Sequence, residues 1–177
     1  MIATDRLRLR PLGADDAPIV AEAVLASLTE LLPFMGWAHP AYGIEDAELW
    51  LDHAVHTWAQ GKEFSFGVFR DAELVGVCGL DRVDPVSRSA NLGYWLRTSA
   101  VGRGYAVEAA RALARWGFNV HGLHRVEIVV VRGNERSERT AARAGATREC
   151  VARNRLMVRG VPFDATVFSL VPRDLGP

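Results

Sequence analysis

The amino-acid sequence predicts a mixed α/β (α+β) domain in which helices flank one sheet. Along the chain the apolar pattern switches between the period of a strand and that of a helix, beginning and ending with strands. The chain has 177 residues, of which 49% are hydrophobic, so it can bury one substantial core. Because no repeat or low-complexity linker divides it, we expect residues 1–177 to form a single domain.

The early elements are two helices between short strands. A strand pattern at residues 7–12 opens the chain, and either Asp15 or Asp16 can cap the helix that follows and continues to Leu28. The predicted elements that come next are an aromatic loop at residues 33–40, a helix at 44–60, and strands at 64–69, 74–80 and 89–96.

The later elements have the most regular patterns. An alanine-rich helix is predicted at residues 104–119, an apolar strand at 125–131 and a short helix at 135–144. Two strands at 148–159 and 164–171, turned at Gly160-Val161-Pro162, close the chain. The full order is strand, two helices, three strands, helix, strand, helix and two strands.

The formal net charge of zero is unevenly distributed. Residues 1–60 contain nine acidic and three basic side chains, whereas residues 97–159 contain thirteen arginines and five glutamates. A neutral chain with a basic second half indicates a small polyanionic ligand rather than nucleic acid, and the acidic first half could attract an amine. Solvated faces of mixed charge are an equally simple interpretation.

Other features favour a reducing, aqueous compartment. No apolar run has the length of a membrane span and the first residues lack the apolar core of a signal peptide, so we expect a cytoplasmic protein with no membrane partner. Cys78 and Cys150 lie in apolar strand-like runs, so we expect two buried free thiols. His53 and His56 share a helical face without a third ligand, so we expect no metal site.

The stretch from residue 91 to residue 109 is the most informative part of the chain. It combines a strand, a loop containing Gly102 and Gly104, and the start of the alanine-rich helix. Glycines let the backbone approach a ligand, and a helix start offers unpaired N–H groups at the positive end of its dipole. This combination predicts a phosphate-binding site.

Two common phosphate sites fit this loop poorly. A P-loop ends in Gly-Lys-Ser/Thr, and the only lysine of the chain is Lys62. A dinucleotide site would need a third glycine where Val107 stands, and a long loop separates the strand from the glycines. Arg132, after the next strand, could still hold a 2′-phosphate, so this second possibility stays open.

Three motifs carry a family resemblance. The loop Val101-Gly102-Arg103-Gly104-Tyr105-Ala106 is similar to a pyrophosphate motif, Gln/Arg-x-x-Gly-x-Gly/Ala. Gly93-Tyr94-Trp95-Leu96 lies upstream of it and Asn134-Glu135-Arg136-Ser137 downstream. In this order and spacing the motifs resemble the GNAT N-acetyltransferases, in the branch that acetylates ribosomal protein N-termini, and the resemblance covers nearly the whole chain. It implies a mixed, mostly antiparallel sheet that is splayed at its centre.

The resemblance also implies that the ligand is acetyl-CoA. Backbone N–H groups from Gly102 to Ala106 would hold the pyrophosphate, and Arg103 would be the first side chain on a phosphate, ahead of Arg136 and Arg139. Val101 stands where Gln or Arg is usual and has no side-chain donor. The pantetheine arm would follow residues 94–96, and Asn134 would hydrogen-bond it or cap the next helix.

For the chemistry, the resemblance implies direct attack of an amine on the thioester. Ser137 would lie near the sulfur and protonate the departing thiolate, although the local backbone could equally satisfy its hydroxyl. Related enzymes often have a glutamate where this chain has Asn91, which could order a water but cannot be the base. The acids left as candidate bases are Asp81, which is our first choice, then Asp84, Glu108 and Asp164.

The acceptor is less well defined by the sequence. Phe34, Trp37 and Tyr42 are candidate walls of its site, with ordinary packing as the alternative. The resemblance favours a protein N-terminal amine. A small amine, such as a polyamine, an amino acid or an aminoglycoside, is the alternative substrate. A non-catalytic acyl-CoA-binding module is the alternative function, because Asn91 and Val101 depart from the family pattern. A homodimer is also possible.

Overall fold

The structure, a computed structural model, describes residues 1–176 and contains one eight-stranded sheet. Its strands in chain order are β1 (Ile2–Ala3), β2 (Arg8–Pro11), β3 (Phe64–Arg70), β4 (Glu73–Asp84), β5 (Ser89–Leu96), β6 (Arg125–Val131), β7 (Thr147–Val158) and β8 (Val161–Leu170). They stand in the spatial order β1-β2-β3-β4-β5-β6-β8-β7, and β5 and β6 are the one parallel pair of neighbours among the described strands.

Helices cover both faces of this sheet. They are α1 (Ala17–Leu25), α2 (Leu28–Leu31), α3 (Ile44–Ala59), α4 (Tyr105–His121) and α5 (Glu135–Arg143), with short 3₁₀ segments at Ala14–Asp16, Thr98–Ala100 and Pro172–Leu175. The predicted order of elements is confirmed, and β1 is an additional short strand. None of the helices within residues 1–176 is long and apolar enough to cross a membrane.

The prediction of one continuous first helix as far as Leu28 is wrong in one respect, because the observed helix is broken at Ser27. α1 ends at Leu25, Ser27 leaves the helical conformation with φ −130°, and α2 starts at the next residue. The Ser27 hydroxyl is buried and accepts a hydrogen bond of 2.9 Å from the backbone N–H of Thr98. A contact across 71 positions of sequence therefore decides where the helix ends.

The closing hairpin is also tighter than the predicted turn at residues 160–162. β8 begins at Val161, and the two residues before it make the turn. Arg159 and Gly160 both have positive φ, +47° and +77°, which is the conformation of the two-residue turns that suit the twist of a hairpin. Val161 and Pro162 can therefore pair with Val158 and Met157 across the hairpin.

Each face of the sheet has its own apolar core. On one face, α4 presents Ala109, Ala110, Leu113 and Ala114, all almost fully buried, to strand residues that include Leu80. The small residues let α4 approach the sheet closely. On the other face, α1 packs against β4 and α3 packs against α1 and β3, with an apolar cluster that includes Val20, Val24, Leu51, Leu74 and Val77.

The sheet opens at its centre, as the resemblance implies. β5 and β6 pair at only three positions, the last of which is Asn91 with Glu127. Beyond that point β5 stays paired with β4 as far as Leu96, and β6 stays paired with β8 as far as Val131. The two strands therefore diverge into a wedge whose facing edges are free of strand partners.

A glycine on β4, Gly76, lets β4 and β5 approach each other closely beside the wedge. A Cβ added at Gly76 would lie 2.3 Å from the Trp95 carbonyl oxygen and 2.9 Å from the Leu96 Cα, both of them backbone atoms of β5. Backbone atoms cannot rotate away as a side chain can. Gly76 thus fixes how closely the outer part of β5 is held to β4.

We expect Gly76→Ala to lower the free energy of unfolding by about 1–3 kcal/mol, the usual scale of overpacking. Gly13→Ala is the matched control, because a Cβ at Gly13 meets nothing within 4 Å and its φ of −125° suits any residue. Urea denaturation of both variants measures the difference. Equal midpoints for the two variants would contradict the close approach.

Candidate active site

A large cavity lies beside the wedge. Its volume is about 760 Å³, and its walls come from the end of β5, the loop into α4, the start of α5 and the segment after α2. The lining residues are Glu30, Leu31, Pro33, Phe34, Met35, Tyr94, Trp95, Leu96, Thr98, Val101, Gly102, Gly104, Tyr105, Ala106, Val107, Gly133, Asn134, Glu135, Arg136, Ser137, Arg139, Thr140 and Arg143. The predicted ligand-binding motifs therefore meet at one site.

The glycine loop gives this cavity an anion-binding wall. Gly102 and Gly104 have φ of +83° and +81°, a conformation that L side chains rarely adopt, and Gly104 is the N-cap of α4. The first N–H groups of a helix have no partner within it, and they carry the positive end of its dipole. Because this helix start lines the cavity, the loop fits a phosphate group.

Three arginines on one face of α5 add positive charge to the cavity. Arg136, Arg139 and Arg143 all line it, and Arg139 also bonds Glu135 at 3.1 Å. Arg143 is absent from the sequence prediction, although its spacing from Arg139 on a helix places it on the same face.

Arg103, the predicted first phosphate contact, is not on the cavity wall. Its side chain is exposed, and its carbonyl oxygen accepts a hydrogen bond of 3.0 Å from the Arg6 guanidinium. The structure therefore favours the α5 arginines over Arg103 as the side chains nearest to a bound phosphate.

Tyr94 and Ser137 form a hydroxyl pair at the inner end of the cavity. The Tyr94 hydroxyl lies 3.1 Å from the Ser137 carbonyl oxygen and 3.1 Å from the Ser137 Oγ. A carbonyl can only accept, so when Tyr94 donates to it, the Ser137 hydroxyl can donate to the Tyr94 oxygen. Burial raises the pKa of Tyr94 to about 12.

Asn134 holds the backbone beneath this pair. Its Oδ1 accepts a hydrogen bond of 3.1 Å from the Ser137 N–H, so Asn134 caps α5 in the way that the sequence suggested as one of two roles. The same residue lines the cavity. Capping fixes the first turn of α5 and with it the position of Ser137.

A narrow slot continues from the cavity into the wedge between β5 and β6. Its volume is about 130 Å³. It shares Phe34, Met35, Tyr94, Asn134 and Ser137 with the large cavity. Its other walls are Leu92, Gly93, Ile128, Val129, Val130, Val131 and Leu156.

Asp81 and Asn91 form a polar pair on the two strands next to the slot. They are register partners on β4 and β5, and the Asn91 Nδ2 donates to the Asp81 Oδ2 at 2.9 Å. The other Asp81 oxygen accepts from Arg82 at 2.9 Å. Among the described residues, the Asn91 Oδ1 is buried without a hydrogen-bond partner. Neither residue lines the cavity or the slot, but a Cβ at Gly93 would lie 3.7 Å from the Asp81 carboxylate.

Asp84 and Glu108 are held in structural contacts and line neither the cavity nor the slot. Asp84 accepts from the backbone of a turn and from the Ser87 hydroxyl, which lowers the pKa of Asp84. Burial opposes ionisation of Glu108, but hydrogen bonds from Thr4 and Arg6 outweigh it and lower the pKa of Glu108.

Asp164 is also engaged by its own hairpin. One carboxylate oxygen accepts a hydrogen bond of 3.0 Å from the Asn154 N–H, and the other lies 3.8 Å from the Arg132 guanidinium. Neither Asp164 nor the other two alternative acids lines the cavity or the slot.

The predicted acceptor aromatics separate into two groups. Phe34 lines both the cavity and the slot, together with Met35, which the sequence prediction missed. Trp37 and Tyr42 lie on neither wall. Their rings are 5.8 Å apart, and Trp37 also contacts Trp95 at 6.1 Å, so both support the loop by packing. Burial raises the pKa of Tyr42 to about 12.

The cysteines and histidines have no place in this site. Cys78 is buried as predicted, and burial raises the pKa of its thiol. Cys150 is exposed, which corrects the prediction, because β7 is an edge strand with most of its residues in solvent. His53 lies 3.5 Å from Glu63, and no cluster able to hold a metal occurs in residues 1–176.

Comparison with known proteins identifies this arrangement. Residues 6–147 match the family model of the acetyltransferase (GNAT) domain. The chain is 29% identical over 174 residues to the putative ribosomal N-acetyltransferase YdaF of Bacillus subtilis, covering 96% of this chain and 93% of that protein.

Solved structures have the same fold over nearly the whole chain. A putative ribosomal-protein-serine acetyltransferase from Vibrio cholerae matches with a TM-score of 0.83 and 31% identity, covering 97% of both chains. Mycobacterium smegmatis RimJ in complex with CoA-disulfide matches with a TM-score of 0.89 and 24% identity, covering 97% of this chain and 84% of that one. With its splayed sheet and anion-binding helix start, the chain belongs to the acetyltransferase (GNAT) family and is an N-acetyltransferase that uses acetyl-CoA.

Proposed function

We propose that this enzyme acetylates the N-terminal amine of a protein, with ribosomal proteins as the first acceptors to examine. The joined cavity and slot carry the donor part of the proposal, since they can hold a long phosphorylated donor with its acyl end between β5 and β6. The acceptor part rests on the names of the relatives YdaF and the Vibrio cholerae protein. A ribosomal acceptor would place the reaction in the cytoplasm.

Mass spectrometry of ribosomal proteins incubated with enzyme and acetyl-CoA tests this acceptor. We expect one acetyl group on the N-terminal residue of at least one protein. A parallel reaction with polyamines, amino acids and aminoglycosides tests the alternative substrates. Turnover on these small amines alone would overturn the protein acceptor.

The donor would be held by backbone groups at one end and by a strand edge at the other. The N–H groups at the start of α4 would bind the pyrophosphate, assisted by Arg136, Arg139 and Arg143. The edge of β5 at residues 94–96 is free of a strand partner on the wedge side, so it can bond the amides of the pantetheine arm. Val101 lines the cavity, where its backbone can contribute although its side chain cannot donate.

We expect Gly104→Val to abolish the stabilisation of the protein by acetyl-CoA, because a β-branched residue disfavours the φ of +81° at Gly104 and would displace the first N–H groups of α4. A ligand at 100 times its Kd adds about 2.7 kcal/mol, which corresponds to roughly 5 °C or more in a protein of this size. Gly160→Val is the matched control, since Gly160 also has positive φ but lies in the distant hairpin turn.

Thermal shift with acetyl-CoA, coenzyme A and NADPH measures this effect in the wild type and both variants. We expect shifts with the two coenzyme A species and none with NADPH. A full shift in Gly104→Val would contradict the proposed loop contact, whatever the acceptor is.

Acetyl transfer creates negative charge on the carbonyl oxygen and then on the departing sulfur. Backbone N–H groups on the free edge of β5 can stabilise the first charge. Ser137 and Tyr94 stand where the cavity meets the slot, so we propose Ser137 as the proton donor to the sulfur, with Tyr94 able to replace the proton that Ser137 gives up. No covalent intermediate on the enzyme is needed.

We expect Ser137→Ala to lower kcat by about tenfold or more with little change in the Kd of acetyl-CoA. Ser87→Ala is the control, because Ser87 is an exposed turn residue that bonds Asp84. Steady-state kinetics and calorimetric titration separate the two effects. Unchanged turnover in Ser137→Ala would end the proposed role of this hydroxyl.

The attacking amine must lose a proton, and we propose that Asp81 receives it while Asn91 orients the amine. The buried Asn91 Oδ1 is free to accept an N–H of the amine, which would point the nitrogen toward the slot. Asp81 stands beside the open side of Gly93 and its side chain is 38% exposed, so it can take the proton and release it to water.

We expect Asp81→Asn to lower kcat/KM by roughly a hundredfold, because the variant keeps the shape of the side chain but has no basic oxygen to take the proton. Asp84→Asn serves as the control, since Asp84 is three positions away and bonds only its own turn. Acetylation rates of an acceptor peptide give the comparison. A similar loss in both variants would mean that Asp81 has no specific part in the reaction.

A further inference from the structure

The slot between β5 and β6 has more room than an acetyl group needs. Its volume is about 130 Å³, and it joins the inner end of the large cavity at Tyr94, Asn134 and Ser137. For comparison, an apolar cavity of about 150 Å³ engineered in another protein takes up benzene, which has six carbon atoms. An acetyl group has a single methyl carbon beyond its carbonyl, so the slot is larger than the acetyl group alone requires.

Most residues that line the slot are apolar, and the polar side chains Tyr94, Asn134 and Ser137 lie where it joins the large cavity. Strand pairing ends at Asn91 and Glu127, so Leu92 and Ile128 are the first residues of the wedge, and they are 1% and 2% exposed. Val130 and Leu156 add to this apolar lining. Hydrocarbon side chains of this kind stabilise buried methylene groups.

The acceptor amine would reach the site from the open side of Gly93, where its neighbours are the polar side chains of Asp81 and Asn91. Within 4 Å, a Cβ at Gly93 would meet only the Asp81 carboxylate, at 3.7 Å, so this side of β5 is open. The Asn91 side-chain amide lies beside this carboxylate and donates a hydrogen bond to it. The residues that line the slot include no carboxylate, so an ammonium group moved into it would lose its hydration without gaining a charged partner. The amine and the acyl chain are therefore suited to different surroundings.

We propose that the slot accommodates acyl chains longer than acetyl, so that the enzyme also transfers short unbranched acyl groups such as propionyl and butyryl. The inference rests on the proposed acetyl transfer at this site and extends its donor range. The same C–N bond forms and the same C–S bond breaks for every chain length. The proton that the amine loses balances the one that the sulfur gains, so no further reactant is required.

The affinity of the enzyme for the donor should increase with chain length until the slot is full. Burial of one methylene group corresponds to about a fourfold decrease in Kd. We therefore expect propionyl-CoA to bind about fourfold more tightly than acetyl-CoA, and butyryl-CoA about tenfold or more. A chain far longer than the slot, such as palmitoyl, should lose this advantage.

Calorimetric titration with coenzyme A and its acetyl, propionyl and butyryl thioesters, in the absence of amine, tests the inference. Leu156→Phe fills the slot from the closing hairpin. Met157→Phe is the matched control, because Met157 is the next residue, is 62% exposed and is not on the slot wall. We expect Leu156→Phe to remove the advantage of butyryl-CoA, about tenfold, and to leave acetyl-CoA within about twofold of its wild-type Kd.

The outcomes separate this inference from the proposed function. If neither coenzyme A nor acetyl-CoA binds, the proposed function itself fails. If both bind and propionyl-CoA binds tenfold or more weakly than acetyl-CoA, the donor range is restricted to acetyl and the inference is overturned. If Leu156→Phe raises the KM of the acceptor peptide and leaves the acyl series unchanged, the slot belongs to the acceptor, which also overturns it. Transfer of butyryl to the peptide, detected by mass, supports it.

Discussion

The site depends on one constraint, which is that β5 and β6 stay paired for only three residues. Two neighbouring strands would ordinarily continue their ladder, because unpaired backbone groups away from water are costly. Here each strand is held from its outer side instead, β5 by β4 as far as Leu96 and β6 by β8 as far as Val131. These two ladders keep the wedge from closing, and the slot and both of its edges follow from them.

The same strand pair also determines where the anion-binding loop lies. Parallel neighbours need a crossover connection, and in this chain α4 is that crossover. Its N-terminus must therefore start near the end of β5, at the open end of the wedge. The small residues Ala109, Ala110 and Ala114 then let the helix lie close to the sheet, so its first N–H groups face the cavity. One topological feature thus aligns the phosphate cradle with the slot.

The parts of the structure that the sequence predicts well are those with local signals. α4, β6 and α5 have strong periods, and the glycines at 102 and 104 identify the loop by the backbone conformation that they permit. The break at Ser27 could not be predicted, because it depends on a hydrogen bond from Thr98, 71 positions away. The exposure of Cys150 depends on β7 being the edge strand, which the strand pattern alone does not specify.

The directions of side chains at the site were harder to predict than the elements that carry them. Arg103 belongs to the right loop but is exposed, whereas Arg143 lines the cavity from the last residue of α5, beyond the third motif. Motifs identify backbone positions reliably, since glycines and helix starts act through the main chain. A long side chain can reach several partners, so its direction depends on contacts such as the one between Arg6 and the Arg103 carbonyl.

The buried Asn91 oxygen illustrates how the site departs from ordinary packing. An unsatisfied buried acceptor costs about 1–3 kcal/mol, and the Asn91 Oδ1 is the one such side-chain atom among residues 1–176. Turning the amide around would place this oxygen against the Asp81 carboxylate and lose the hydrogen bond of 2.9 Å, so the observed orientation is the better of the two. A cost of this kind at the vertex of the wedge is expected where a polar atom gains its partner only when a substrate arrives, and this supports the proposal that Asn91 faces the amine.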